Sequence, residues 1–575
     1  MQKKYYYLFF LLVLVVYVVN LFVDIMDVDA TQYAEISWEM FSTKSFLKVH
    51  SFGVDYLDKP PLLFWLNSAC FYLFGVSTVT YKLSSMLFAI LAVYSTYRFA
   101  RLYYPEPTAL MAALMLASSE ALFLITNDVR TDTMLMGAVI FAIWQWAQFF
   151  DTYETKNIFW GSIGLGLALL AKGPIGLIAL SAALVPHIIL SKKWKWLLDA
   201  RLLMPIAIVS LMLTPMCIGL YEQWGWKGLV FYFYTQSFGR ITGASDWNNH
   251  PDTFFLIHTT LWAFIPWSLL LFVGWGNRMM GFIKRETTYQ EVISIGGFTL
   301  VLIALMLSQY QLPHYVFVIY PLGAVIAADY FVKMDLQPVI KNVLLSLHLM
   351  TLFALMTLSV LLQFCLKGLD VSSLSCLVFL YLVIIAFVFY MNGSVKNLRN
   401  ALLYLNHSAK RIANKGKGLS PETHLFFDLV YRNTIQLSAG VMIVFSFLAG
   451  TFYFPAIMKY QPSADFGRYV RQHQKEPGHL AAYMGGAGYA DVFYAQQIPL
   501  ITWDGNKLME ALKQKKHLII YTNPVGLDEM NKSHVKYKII GQRYHYQVAR
   551  LSIPFLNPAT RDSVCDKVYL VEADL

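Results

Sequence analysis

The chain has 575 residues, of which 57% are hydrophobic and only 14% are charged. Soluble domains carry about 25% charged residues, so the composition excludes a soluble protein and indicates a membrane protein. The net charge of +10 suits cytoplasmic loops and anionic lipid headgroups, and we do not interpret it as nucleic-acid binding. The five cysteines have no metal-ligand spacing, so neither a disulfide framework nor a cysteine-based metal site is indicated.

Apolar runs of transmembrane length recur along the chain. A membrane-crossing helix needs about 20 mostly apolar residues. The first run follows Lys3 and Lys4, and no small-residue cleavage site comes after it, so we predict a retained helix and not a removed signal peptide. A shorter run at 61–75 is typical of a re-entrant or interfacial helix. Thirteen spans are predicted, at residues 5–23, 79–98, 108–126, 133–150, 158–171, 174–190, 202–220, 254–275, 291–307, 313–332, 342–365, 372–391 and 434–454.

Lysine and arginine residues concentrate in alternate loops, which predicts the orientation of the spans. With the N-terminus in the cytoplasm, the inside loops hold clusters such as Lys192, Lys193 and Lys195, and the outside loops hold few cations. The basic segment 392–433 is then a cytoplasmic loop held at anionic lipids. An odd number of spans places the C-terminal segment 455–575 outside.

The segment 455–575 differs in composition from the rest of the chain. It is polar, it is punctuated by Gly and Pro, and it contains strand-like runs at 517–521 and 568–571. We therefore predict an all-α membrane domain over 1–454 and a small α/β domain over 455–575. The isolated glycine cluster at 485–488 favours a plain turn over a phosphate cradle.

Acidic, basic and histidine side chains gather in the outside loops, mainly 24–78 and 221–253. Charges at helix ends beside a bilayer are costly unless they serve a function. Lys and Arg neutralise phosphate oxygens, and a carboxylate can take or orient the proton of a hydroxyl. The first loop also predicts an amphipathic helix in the membrane interface, with Asp29 as its N-cap and Tyr33 on its apolar stripe.

Each of these residues also has a plainer explanation. Asp29 alone favours a helix cap over a catalyst. Asp58 with Lys59 could be a surface ion pair, and Lys172 could be an interfacial lysine. Only the joint placement of such residues on one face indicates a functional site.

Six short segments, in order, resemble motifs of the polyprenyl-phosphate-sugar transferases of the GT-C superfamily. The branch most similar is that of the ArnT-like aminoarabinose transferases, with the protein O-mannosyltransferases as relatives. Residues 29–36, DATQYAEI, resemble the motif DETRYAEI, and residues 56–61, YLDKPP, are similar to the motif FEKP. The remaining matches are RTD at 130–132, AKGP at 171–174, PWS at 266–268 and LPHY at 312–315.

The resemblance implies a role for each matched position. Asp29 would be the catalytic carboxylate. The donor phosphate would be bound by Lys59, Lys172, Arg130 and Arg240. A divalent metal ion would be held at Asp58 and His250. Further pocket residues would be Tyr33, Asp132, His314 and Tyr315.

The resemblance also implies a GT-C fold, a multi-pass monomer in the bacterial inner membrane and a periplasmic C-terminal domain. The expected donor is a polyprenyl-phosphate sugar, used without a nucleotide cofactor. The expected acceptor is a lipid similar to lipid A or a protein, and the transfer would be inverting.

The sequence departs from the motifs at three positions. Ala30 and Gln32 replace the Glu and Arg that follow the catalytic Asp, so contacts to the donor must differ. Asp58 replaces the Glu of the second motif and is one methylene shorter, which puts metal ligation in doubt.

Two other functions stay open. A flippase or transporter for a lipid-linked sugar would need broken helices with polar residues near the bilayer midplane. The two short spans that meet at residues 172–174 are the one hint of such helices. A scaffold or receptor that binds a partner through residues 455–575 ranks last, because thirteen spans are excessive for an anchor.

Overall fold

The computed structural model describes residues 3–192, 199–239, 249, 251–284, 291–334, 338–367, 371–391, 421–474, 476, 478–485 and 488–575. Helices form the membrane part of the chain. In chain order they are α1 Lys3–Asn20, α2 Asp29–Thr43, α3 Leu62–Phe74, α4 Thr78–Tyr103, α5 Glu106–Ala117, α6 Glu120–Asn127, α7 Thr131–Thr152, α8 Thr155–Lys172, α9 Ile175–Leu190, α10 Leu203–Trp224, α11 Trp226–Val230, α12 Phe255–Ala263, α13 Ser268–Ile283, α14 Ile293–Met306, α15 Tyr320–Lys333, α16 Pro338–Lys367, α17 Val371–Met391, α18 Pro421–Leu448 and α19 Phe454–Met458. Short 3-10 or π turns lie at Ala200–Leu202, Phe231–Gly239, Pro313–Ile319 and Ala449–Tyr453, and a two-residue hairpin, β1 His50–Ser51 with β2 Val54–Asp55, follows α2.

Seven helices in the described part of the chain are long and apolar enough to cross a membrane, and α5 with α6 could make an eighth span, bent by 49°. Every predicted span coincides with a helix or an interrupted helix, but the number thirteen is not confirmed. Helices α3, α9 and α14 are apolar but shorter, with 13 to 16 residues.

Two predicted spans are interrupted for identifiable reasons. The span predicted at 108–126 breaks at Ser118 and Ser119, whose hydroxyls donate to the carbonyl oxygens of Leu114 and Leu116 at 2.6 and 2.8 Å. Such side-chain bonds to the preceding turn compete with helix continuation. The span predicted at 254–275 breaks between α12 and α13, around Pro266, which cannot donate a backbone hydrogen bond.

The C-terminal part of the chain forms the predicted small α/β domain. Its helices are α20 Ser463–His473, α21 Tyr489–Ala495, α22 Gly505–Lys515, α23 Pro524–Lys532 and α24 Ile553–Leu556. Its strands are β3 Leu480–Tyr483, β4 Leu500–Thr502, β5 His517–Thr522, β6 Tyr537–His545 and β7 Asp566–Asp574, in the order β4-β3-β5-β7-β6. Strands β4, β3 and β5 are parallel, and β7 runs antiparallel to both β5 and β6.

Helix α2 lies inside the protein, so the prediction of a helix with one apolar stripe in the membrane interface is wrong. Ten of its residues are buried, including Glu35 and Glu39. Helices α3 and α21 pack against it. The C-terminal domain therefore covers the helix that begins with Asp29.

Two predicted loops are partly helical. In the predicted loop 221–253, the described residues up to 239 continue α10, form α11 and then form a π turn. In the predicted loop 392–433, residues 392–420 lie outside the described residues, and α18 already begins at Pro421.

A buried ionic cluster joins α13 and α15 to the residues that follow α4 and precede α14. The guanidinium of Arg278 on α13 bonds to Glu291 at 3.1 Å and to Asp329 on α15 at 2.8 Å. It also bonds to Tyr104, and Tyr104 donates to Glu291 at 2.7 Å. We refer to these four residues as the Arg278 cluster.

Candidate active site

Three charged side chains meet at the start of α2. Arg130 donates through Nη1 to Oδ2 of Asp29 and through Nε to Oδ2 of Asp128, the latter at 2.9 Å. Burial alone would lower the pKa of Arg130, but the carboxylates of Asp128 and Asp29 raise it overall. One permanently charged guanidinium thus orients two carboxylates.

Local structure places these three residues. Asp29 is the first residue of α2, and Val28 is its N-cap, so the prediction that Asp29 caps the helix is wrong. Arg130 directly precedes α7, and Asp128 directly follows α6. The Asp29 carboxylate pairs with the Arg130 guanidinium. The Asp29 side chain is 39% exposed, so an incoming group can reach it.

A second ion pair lies in the segment before α3. Lys59 donates to Asp58 at 2.6 Å, and Gln236 of the π turn donates to the backbone oxygen of Asp58. Pro60 and Pro61 follow and restrict the backbone at the entrance to α3. Through Gln236, this segment contacts the outer loop predicted at 221–253.

A third cation sits at the end of α8. Lys172 donates to Asp132 at 2.5 Å, and its Nζ lies 3.7 Å from the centroid of the Tyr315 ring. His314 Nε2 lies 3.7 Å from the other oxygen of Asp132. Gly173 ends α8 with φ +75°, a conformation that L side chains rarely adopt. The turn therefore fixes where Lys172 points.

Lys59 and Lys172 line one cleft. It is narrow, with about 70 Å³ of space for the centres of water-sized groups. Its lining combines two ammonium groups and hydrogen-bonding side chains with apolar side chains. The lining residues are Lys59, Leu135, Lys172, Ile175, Ile178, Gln236, Ala304, Leu305, Ser308 and Tyr315.

Two buried tyrosines lie within electrostatic reach of both Asp29 and Asp58. Burial raises the pKa of Tyr33 well above its ordinary value, and the charges of Asp29 and Asp58 act on it as well. Burial likewise raises the pKa of Tyr56, on which Asp58 and Asp29 also act. Among the described residues, nothing hydrogen-bonds to the buried Tyr56 hydroxyl. Tyr56 was quoted in the sequence motif but was not predicted as a site residue.

The structure thus brings together most of the predicted site residues. His314 lies within electrostatic reach of Arg130, Lys172 and Lys59, so the two lysines of the cleft and the cation that pairs with Asp29 surround one side chain. The roles of all these residues stay predictions. Arg240 and His250 lie outside the described residues.

The described residues do not fit a metal site. No three His, Cys, Asp or Glu side chains of the described chain form a ligand group. The Asp58 carboxylate already accepts a hydrogen bond from the Lys59 ammonium, and the second predicted ligand, His250, is not described. The metal stays a prediction, and no step proposed below passes through it.

Sequence reasoning missed the contacts that hold the segment before Asp29. Gln461 accepts from the backbone N of Asp27 at 2.9 Å and donates to the backbone oxygen of Ile25 at 2.8 Å. Tyr494 accepts from the backbone N of Ile25 at 2.9 Å. The C-terminal domain therefore fixes the chain just ahead of Asp29.

The buried Lys82 on α4 was also missed. Its ammonium donates to the backbone oxygen of Val23 and to the side chain of Asn127, both at 2.7 Å. Asn127 is the residue before Asp128. A polar residue inside an apolar span, visible in the sequence, was the available signal.

Two carboxyl groups of α2 support the neighbouring hairpin. Glu35 accepts from the Ser51 hydroxyl at 2.8 Å and from the Phe52 backbone N at 2.9 Å, and Glu39 accepts from the Gly53 backbone N at 3.1 Å. Burial is the main cause that raises the pKa of Glu35 to about 8. Glu35 therefore holds its proton at neutral pH.

Comparison with known sequences finds similarity to transferases of lipid-phosphate-linked sugars. Residues 58–218 match the model of the dolichyl-phosphate-mannose-protein mannosyltransferase family. An undecaprenyl phosphate-alpha-4-amino-4-deoxy-L-arabinose arabinosyl transferase of Edwardsiella ictaluri is 26% identical over 52% of this chain and 54% of its own length. A transferase of the same name from Pseudomonas paraeruginosa is 24% identical over 42% and 45%. The chain spans about half the length of the curated relatives it matches.

Comparison with solved structures extends over the whole chain. ArnT from Cupriavidus metallidurans bound to undecaprenyl phosphate superposes with a TM-score of 0.68 at 15% identity, covering 100% of this chain and 99% of that one. The apo state of the same protein gives a TM-score of 0.65. With its apolar helices, the chain is a multi-pass protein of the bacterial inner membrane. The resemblance to the ArnT-like branch of the GT-C glycosyltransferases, predicted from six short motifs, is confirmed, and the chain has the fold of ArnT.

Proposed function

We propose that the protein is a membrane glycosyltransferase that moves a monosaccharide from a polyprenyl-phosphate carrier to a lipid or protein acceptor. The observation that carries this proposal is the exposed Asp29 carboxylate, oriented by Arg130 beside a cleft with two ammonium groups. The similarity to arabinosyl transferases supports the donor class. We place the site on the periplasmic face, with the N-terminus in the cytoplasm and the C-terminal domain in the periplasm, because of the distribution of lysine and arginine.

The cleft suits a lipid phosphate as the leaving group of the transfer. Lys59 and Lys172 would contact its oxygens and stabilise the negative charge that develops as the bond to the sugar breaks. Both cations already have a carboxylate neighbour, so phosphate oxygens would share them. The apolar side chains of the lining would hold the first part of the prenyl chain.

Asp29 suits the activation of the acceptor. A carboxylate at hydrogen-bond distance can orient an acceptor hydroxyl and take its proton as the new bond forms. Arg130 directs this carboxylate, and Asp128 also accepts a hydrogen bond from Arg130. Attack from the side opposite to the leaving phosphate would invert the anomeric configuration.

Mass spectrometry of envelope lipids and proteins tests the proposal. We expect a sugar mass on one acceptor in cells that produce the protein and its loss in cells that lack it. Asp29→Asn should lower transfer by about 10²–10⁴-fold, as expected for loss of a general base. Asp128 still pairs with Arg130 in this variant, so the protein should fold.

Asp528→Asn is a matched control, because Asp528 pairs with Lys532 on the surface of α23. It should transfer at the rate of the unchanged protein. Full transfer by a folded Asp29→Asn variant would contradict the assignment of Asp29. Redistribution of lipid-linked sugar across the membrane, with no acceptor changed in mass, would favour a flippase.

A further inference from the structure

The C-terminal domain contacts the turn of α2 that carries Asp29. Gln32 lies three residues after Asp29, so both side chains emerge on neighbouring positions of one helix face. Gln32 donates through Nε2 to the hydroxyl oxygen of Tyr489, the first residue of α21, at 2.9 Å. The Tyr489 ring packs against Phe52, with the ring centroids 5.2 Å apart. Tyr489 is thus held beside the candidate base.

The charge of Asp29 reaches the Tyr489 hydroxyl. Burial raises the pKa of Tyr489, and the negative charge of Asp29 raises it further. The hydroxyl therefore stays protonated at neutral pH and can donate a hydrogen bond. Tyr489 is not among the residues that line the cleft with Lys59 and Lys172.

Arg130 pairs with two carboxylates, Asp29 and Asp128. On the side of α21, the described neighbours Gln32 and Tyr489 are uncharged. In the motif that this segment resembles, the position of Gln32 carries Arg. A phosphate acceptor that enters beside Tyr489 would meet a like charge at short range.

We propose that Gln32 and Tyr489 form the acceptor-side wall of the site and select an acceptor that presents an uncharged hydroxyl group. The inference rests on the proposed glycosyl transfer and specifies its acceptor. The Gln32 amide and the Tyr489 phenol offer hydrogen-bond donors and acceptors that match a hydroxyl-bearing headgroup or side chain.

The chemistry at Asp29 agrees with such an acceptor. The acceptor oxygen bonds to the anomeric carbon, the bond from that carbon to the phosphate oxygen breaks, and the phosphate leaves with the electron pair. The acceptor proton passes to Asp29. A phosphate monoester, with a second pKa of about 6, is largely ionised at neutral pH and needs no base.

The linkage of the transferred sugar tests this inference. Acceptors from cells that produce the full chain are analysed by mass spectrometry before and after mild acid, which releases sugars from glycosyl phosphates and leaves ordinary O-glycosides intact. We expect the sugar mass to persist. Loss of the sugar in mild acid overturns the hydroxyl acceptor but leaves transfer established. If no acceptor carries a sugar, the proposed function fails, and this inference fails with it.

Tyr489→Phe tests the residue itself. The ring contact to Phe52 is kept and one neutral hydrogen bond is lost, so kcat/KM for the acceptor should fall about fivefold while KM for the donor stays constant. Donor and acceptor are extracted from the producing membranes. Tyr537→Phe is the matched control, because Tyr537 bonds to Asn531 within the C-terminal domain at 3.0 Å. An unchanged kcat/KM for Tyr489→Phe, or an equal fall for Tyr537→Phe, overturns the assignment of Tyr489.

Discussion

Substitution of one side chain, Gln461, removes two of the hydrogen bonds between the C-terminal domain and the segment before Asp29. Gln461 is 1% exposed and bonds to the backbone of both Ile25 and Asp27. Gln461→Leu keeps the side-chain size but leaves these two buried backbone groups without partners, at about 1–3 kcal/mol each. The total of roughly 2–6 kcal/mol is in the range of free energies that keep local segments closed. We therefore expect this segment to open while the rest of the protein stays folded.

Hydrogen exchange and transfer rates measure this opening. In detergent, the amides of Ile25 and Asp27 should exchange faster in Gln461→Leu, and kcat should fall at least tenfold, since about 1 Å of misplacement can cost 10²-fold in rate. Gln497→Leu is the control, because Gln497 bonds only within its own domain, to Gln474 at 2.8 Å, among the contacts described. Unchanged exchange at Ile25 and Asp27 in the Gln461 variant would refute the reasoning.

Two further predictions concern buried charges. Burial raises the pKa of Glu35, so the folded state binds the Glu35 proton more tightly than the unfolded chain does. The resulting stabilisation of the fold is complete below the ordinary pKa of 4.5, and it is lost as the pH rises through about 8. Glu35→Gln should therefore flatten the fall of thermal stability with rising pH, and pH curves parallel to those of the unchanged protein would contradict this. In the Arg278 cluster, Arg278→Met leaves Glu291 and Asp329 buried without their main cation and should destabilise the protein by about 3–5 kcal/mol in detergent unfolding. The double variant with Glu291→Gln should recover part of this loss, and full additivity of the two changes would refute a direct pair.

The membrane helices were predictable because their signal is local. Each apolar run of the sequence corresponds to a helix, since the bilayer demands internally satisfied backbone over a fixed length. The breaks were not predicted, because they depend on single side chains. Ser118 and Ser119 look unremarkable in an apolar run, yet their hydroxyls end α5.

The cationic part of the site was also predictable from the sequence. Arg130, Lys172 and Lys59 stand at helix ends on one predicted face, and the structure brings them within reach of His314. Asp128 lies in the same short loop as Arg130 but was not assigned a role. Its spacing of two residues from Arg130 was the signal that could have identified it.

The environment of α2 could not be read from its own sequence. Its alternation of Tyr33, Ile36 and Met40 with polar residues is typical of a helix at an interface. The polar residues instead bind the hairpin and the C-terminal domain, as Glu35 and Gln32 show. Contacts between residues hundreds of positions apart leave no periodicity in a single sequence.

The distance in sequence between Ile25 and Tyr494 has a consequence for biogenesis. Their hydrogen bond joins residues 469 positions apart, and that of Asp27 with Gln461 spans 434. Contacts of such long range form after local structure, because the closure of long loops costs entropy. During synthesis, the segment that carries Asp29 is therefore inserted first and secured last. Each molecule gains these contacts only after residues 455–575 have been made and have folded, so a chain without them holds the segment before Asp29 unsecured.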